Sequence, residues 1–197
     1  GSGKSSLVNL IPRFYDIQNG SVKVDGSNVK TLNPVSIRKH IGMVPQKAQL
    51  FKGTLRENMR WGRKNATDEE IYQALEIAQA KEFVDSKDQG LDLMIEQNGS
   101  NLSGGQKQRL TIARALVKNP DILILDEVLS VGDAKFRKKS EKKVLSMFDK
   151  GVTVLFVSHS LEQVQRLCNK AMILEKGKLI AYGDIDEISA KYAEMIR

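Results

Sequence analysis

The run Ile122-Leu123-Ile124-Leu125, closed by Asp126-Glu127, constrains the fold more than any other stretch. Four consecutive large apolar residues leave no polar face, so as a strand the run must be buried on both sides. That is the habit of a central strand in a parallel sheet. Parallel strands need crossover connections, and helical periodicities separate the strand-like runs Ile41–Val44, Ile122–Leu125 and Val152–Val157. The chain is therefore predicted to be α/β with a mostly parallel central sheet, its ligand held beyond the carboxyl ends of the strands. Asp126 and Glu127 stand at such an end, where paired acids suit metal and proton chemistry; the plainer alternative is a helix start.

Two further stretches suit anions. Asn101–Leu116 reads NLSGGQKQRLTIARAL. Its Ser103, Gly104, Gly105 and Gln106 open a helix predicted to carry Leu110, Ala113, Leu116 and Val117 on one face. Free N–H groups at a helix N-terminus carry partial positive charge, and side-chain-free backbone lets a phosphate approach closely. Gly1–Ser6 reads GSGKSS, the end of a phosphate-loop pattern. Five residues of that pattern should precede Gly3 where only Gly1 and Ser2 do, so the sequence is expected to be an N-terminally truncated piece of a longer protein. Either stretch alone reads equally well as an ordinary glycine-rich segment.

Taken in order, GSGKSS, Gln46 after Ile41–Pro45, LSGGQ, ILILDE and His159 after VLFVS resemble the ATP-binding-cassette (ABC) ATPases over essentially the whole chain. The resemblance implies a P-loop NTPase fold in a single domain, 1–197, with an inserted helical subdomain at 46–117. It implies ATP and Mg²⁺ as cofactors. Gly1, Ser2, Gly3, Lys4, Ser5 and Ser6 would hold phosphates, and Ser103, Gly104, Gly105 and Gln106 would close on ATP held by another subunit. Ser5, Gln46 and Asp126 would serve Mg²⁺. Glu127 would activate the attacking water, with His159 and Gln46 beside it. The implied partners are a second ABC ATPase domain, paired head to tail, and transmembrane domains, fused or separate. The implied location is the cytoplasmic side of the cell membrane, and the implied work is ATP-driven export.

Gln49–Gly62, QLFKGTLRENMRWG, is similar to the multidrug and lipid exporter branch, in which this segment lies against the transmembrane domain. Phe51 and Trp61 read equally as local core aromatics. Glu96 falls in the polar link that senses transmembrane domains in that branch. Beyond Leu125 the sequence has Val128–Asp133 where exporters carry STSALD. Together with FRKKS and the closing hairpin and helix, it resembles polysaccharide and teichoic-acid exporter ATPases. Ser130–Asp133 falls at the family's dimer-contacting loop, and Ala134–Phe148 is predicted to be a helix with a solvated basic face. Thr67 with Glu70, Ser160 with Gln163, and Asp184 with Glu187 have capping-box spacing. The last helix is expected to bury Ile185, Ile188, Tyr192 and Met195.

The formal charge of +7 suits polyphosphate or nucleic acid but decides nothing alone. Cys168 is the only cysteine, which excludes an intramolecular disulfide. No apolar run approaches the roughly 20 residues that span a bilayer. Three readings are carried forward: an export ATPase without a nucleic-acid partner, a soluble ABC ATPase acting on nucleic acid or ribosomes, and an inactive fragment.

Overall fold

The computed structural model describes residues 2–128 and 151–195. The expectations for Gly1, for Ser130–Asp133 and for the helix Ala134–Phe148 lie outside those residues. Among them, three parallel strands form the central sheet, with Ile122–Asp126 between Ile41–Val44 and Thr153–Val157. Leu123 and Leu125 enter one apolar cluster while Ile124 enters another. Successive strand residues face opposite sides, so this split is the two-sided burial that an unbroken apolar run demands.

One cluster joins Val8, Val29, Ile37, Ile41 and Val157 to Ile124, packing the first helix, Lys4–Leu10, and the helix Pro34–His40 on one face of the sheet. A hairpin of Lys23–Val24 and Ser27–Asn28 turns at Asp25-Gly26. Both turn residues have positive φ, 47° and 77°, as a tight primed turn requires. The other cluster is larger and draws mainly on residues between Ile41–Val44 and Ile122–Asp126. The helices Leu55–Arg60, Asp68–Ile77, Lys81–Asp85 and Gly104–Val117 lie there. So does the short antiparallel pair Gly53–Thr54 with Met94–Ile95.

Three of these helices start with reciprocal capping boxes, Thr54/Glu57, Thr67/Glu70 and Ser103/Gln106. The helix Asp68–Ile77 buries a stripe of Ile71, Ala74 and Leu75, with Ala78 just beyond it. The helix Gly104–Val117 departs from expectation. Besides Leu110, Ala113, Leu116 and Val117 it buries Gln108, Thr111, Ile112 and Ala115. It is wedged between Asp68–Ile77 and the strand Ile41–Val44, so both sides are covered. Contact with that strand is close: a Cβ on Gly42 would lie 2.9 Å from Pro120 Cγ and 3.0 Å from the Ala115 carbonyl.

The chain closes with the helix Leu161–Leu167, the hairpin Lys170–Glu175/Lys178–Asp184 and the helix Ile185–Met195. Ser160 caps by accepting from the Gln163 amide, but the Gln163 side chain accepts from the Ser158 hydroxyl, so the expected second box does not close. The last helix buries Ile188 and Ser189, leaves Ile185 and Tyr192 half-buried, and exposes Met195. Among the described residues no helix is long and apolar enough to cross a membrane.

Candidate active site

The carboxyl ends of the sheet strands and the start of the first helix open on one cleft of about 660 Å³. Ser2 to Ser6, Gln46, Glu127, Ser158 and His159 line one end, and the cleft continues along the closing hairpin and the last helix. Gly3 precedes the first helix with φ 90°, a conformation natural to glycine. The hairpin turn pins this loop: the Gly177 amide donates to the Ser2 carbonyl at 3.0 Å, and a Cβ on Gly3 would touch Gly177 at 3.4 Å. Lys4 Nζ donates to Ser2 Oγ at 2.9 Å, which keeps the ammonium over the loop.

The central strand ends at Asp126, and Glu127 follows it; Glu127 lines the cleft, whereas Asp126 lies buried behind it. Asp126 is 4% exposed, and its Oδ1 has no hydrogen-bond partner among the described residues. A buried carboxylate oxygen left unpaired is costly, and a hard divalent cation with its waters would satisfy it. Glu127 leaves the strand at φ 55°, a left-handed turn in which its amide still donates to the Val157 carbonyl at 2.9 Å. That turn aims the carboxylate back over the sheet. Gln46 Nε2 donates to its Oε2 at 2.6 Å, and His159 Nε2 lies 2.5 Å from its Oε1. An ionised carboxylate only accepts, so in this contact the imidazole carries its hydrogen on Nε2. Gln46, Glu127 and His159, the three residues expected to be catalytic, thus meet at one point beside Lys4 and Ser5.

Ser103, Gly104, Gly105 and Gln106 are not brought into this cleft. They start the helix Gly104–Val117 elsewhere on the surface. Ser103 Oγ accepts from the Gln106 amide at 3.3 Å and Gln106 Oε1 from the Ser103 amide at 2.8 Å. A Cβ on Gly104 or Gly105 would meet nothing within 4 Å, so these two glycines are not required by packing. Phe51 and Trp61 are 44% and 69% exposed with ring centroids 4.9 Å apart. They are a surface pair and not part of the core.

Sequence reasoning missed two supports. Gln108, buried in the helix Gly104–Val117, the signature helix that LSGGQ opens, donates from Nε2 to the carbonyl of Val128, next to Glu127. Asn58, 1% exposed, accepts from the Phe51 amide at 2.8 Å and donates to the carbonyls of Phe51 and Thr54. Gln108 stands between Lys107 and Arg109 and Asn58 between Glu57 and Met59, so no local pattern marks either side chain as buried.

The sequence model of the ABC transporter family matches residues 1–130. The chain belongs to the ABC transporter family. Over all of this chain, ABC transporter B family member 21 of Arabidopsis thaliana is 42% identical, though that stretch is 15% of the plant protein. A multidrug export ATP-binding/permease protein of Staphylococcus aureus is also 42% identical, over 97% of this chain and 33% of its own length. The stretches aligned with both relatives extend past Leu125. Among solved structures, a bacterial Atm1-family ABC exporter with ATP bound superposes with a TM-score of 0.91 at 32% identity, covering 98% of this chain and 34% of that one. This ABC chain thus spans from 15% to 34% of these relatives, and has the P-loop NTPase fold of the family's ATPase domain.

Proposed function

We propose that this chain is the ATP-hydrolysing domain of an ABC exporter, working on the cytoplasmic side of a membrane. The observation that carries the reading is the Glu127 carboxylate held between the Gln46 amide and the His159 imidazole at the mouth of the cleft that contains Lys4. In this reading the backbone of Ser2–Ser6 cradles the phosphates, and Lys4 neutralises charge on the outer ones. Glu127 orients a water and accepts its proton; Gln46 and His159 fix the carboxylate in place. Ser5, Gln46 and the unpaired oxygen of Asp126 would serve Mg²⁺, whose chemistry when bound is to neutralise charge on the phosphates.

Residues 46–117 act as the helical subdomain. Because Ser103–Gln106 stand away from the cleft, the hydroxyl and the open glycine backbone serve a nucleotide held by a second ATPase domain. Two such domains, head to tail, enclose two ATP molecules. The exposed Phe51–Trp61 face meets a transmembrane domain, and closure of the pair moves it. No nucleic acid enters this account.

The test is Mg-ATP hydrolysis at rising protein concentration, beside Glu127→Gln. Turnover should rise faster than linearly, since two chains build each site. The variant should bind ATP normally while losing about 10²- to 10⁴-fold in rate, the worth of a general base. Unchanged turnover in Glu127→Gln would overturn the assignment.

A further inference from the structure

Between the cleft and the exposed aromatic pair runs one short segment, from Gln46 to Phe51. At its start Gln46 bonds Glu127 at 2.6 Å, at Leu50 it is anchored in the core with 1% exposure, and at its end Phe51 packs on Trp61. The segment is held from two sides. Asn58 grips the Phe51 backbone from the helix Leu55–Arg60. Arg114, three residues before the end of the signature helix, grips it from the other.

Arg114 makes both contacts with one planar group. Its Nη2 donates to the Gln49 carbonyl at 2.9 Å, and the guanidinium carbon lies 5.5 Å from the Phe51 ring centroid, within cation–π range. Its backbone is fixed as well: a Cβ on Gly62, the residue after Trp61, would meet the Arg114 carbonyl at 2.2 Å, so Trp61 and Arg114 are held on adjacent backbones. Nη1 is buried with no hydrogen-bond partner among the described residues, and burial lowers the guanidinium's pKa from its ordinary value. A desolvated arginine touching a carbonyl and a surface ring does more than solvate a face.

We propose that Arg114 is the positioning residue that locks the Gln46–Phe51 segment to the signature helix, so that nucleotide in the cleft is sensed at the exposed Phe51–Trp61 face. This rests on the ATPase reading above. Displacing Gln46 pulls on Gln49, and Arg114 transfers that pull to the Phe51 ring and the helix that carries Ser103. Without the guanidinium, the segment moves independently of both.

Trp61 is the only tryptophan, so its emission reports the aromatic face directly. The experiment titrates this chain with a non-hydrolysable Mg-ATP analogue, following Trp61 emission, while equilibrium dialysis measures binding independently. The parent should show an emission change that saturates with binding. Arg114→Met, which keeps length and apolar packing, should bind the analogue within about twofold of the parent, because Arg114 does not line the cleft, yet lose the emission change. Arg114→Lys, which restores a donor without the planar stack, should recover part of it. Binding without any emission change in the parent overturns the proposal and leaves the ATPase reading standing. So does a full emission change in Arg114→Met. Loss of binding in both variants assigns Arg114 to the fold alone and also overturns it. Absence of binding in the parent overturns the ATPase reading and this inference together.

Discussion

Gly62→Ala should destabilise the fold although Gly62 has no part in the chemistry. The added Cβ would lie 2.2 Å from the Arg114 carbonyl oxygen and 3.2 Å from that of Met59. A carbon and a carbonyl oxygen rest at about 3.3 Å, so two backbones must separate by roughly 1 Å. Neither yields cheaply: the Gly62 amide donates to the Met59 carbonyl at 2.9 Å, and Arg114 sits in a helix buried on both sides. Overpacking of this kind costs about 1–3 kcal/mol. With a urea dependence of about 2 kcal/mol per molar, the unfolding midpoint should fall by about 0.5–1.5 M. Gly105→Ala is the control. Its Cβ would meet nothing within 4 Å, and alanine is a better helix former than glycine by up to about 1 kcal/mol. Its midpoint should therefore hold or rise while ATP turnover falls, because the methyl group stands where a phosphate must approach. Circular dichroism in urea measures both variants. Equal midpoints for parent and Gly62→Ala would refute the close approach, and a large loss in Gly105→Ala would make that glycine structural.

Gln108→Met keeps the volume but removes the donor to the Val128 carbonyl, freeing the turn that aims Glu127. The expected result is a lower kcat with KM unchanged in steady-state hydrolysis; a rise in KM alone would count against it. Asp68 gives a pH prediction. Its hydrogen bonds from Arg56, at 3.0 and 3.1 Å, hold its carboxyl below the ordinary range. A depressed carboxylate stabilises the fold above its unfolded pKa, and that share is lost as the pH falls below about 4. Arg56→Met should flatten stability against pH in that window, read by urea unfolding at several acid pH values. An unchanged slope would remove the pair from the account.

Much of the site is legible in the sequence because its parts are local. Phosphate-loop, signature and strand-end acids each declare themselves within a few residues, and the three strands of the central sheet run within a residue of where their apolar patterns put them, whereas the short pair Gly53–Thr54 with Met94–Ile95 carries no such pattern. Helix starts with reciprocal side chains, such as Thr67 with Glu70, are equally local. Ser160 with Gln163 failed as a box because Ser158, held at the end of a strand, competes for the same side chain. Met195 was assigned to the core by spacing, yet spacing sets only the face of a helix and not how far its partner extends.

Sequence by itself determined the strands of the central sheet, the order of the motifs and the chemistry each residue type offers. The resemblance put Gln46 and His159 beside Glu127, but only the tertiary structure shows how both reach its carboxylate, Gln46 from 81 residues away. It alone put Phe51 and Trp61 on the surface with Arg114 beneath. The physical reason is the same in each case: periodicity reports the face a residue takes on its own element, whereas convergence depends on which elements the sheet order makes neighbours. Two apolar clusters sharing one central strand set that order, and no local pattern encodes it.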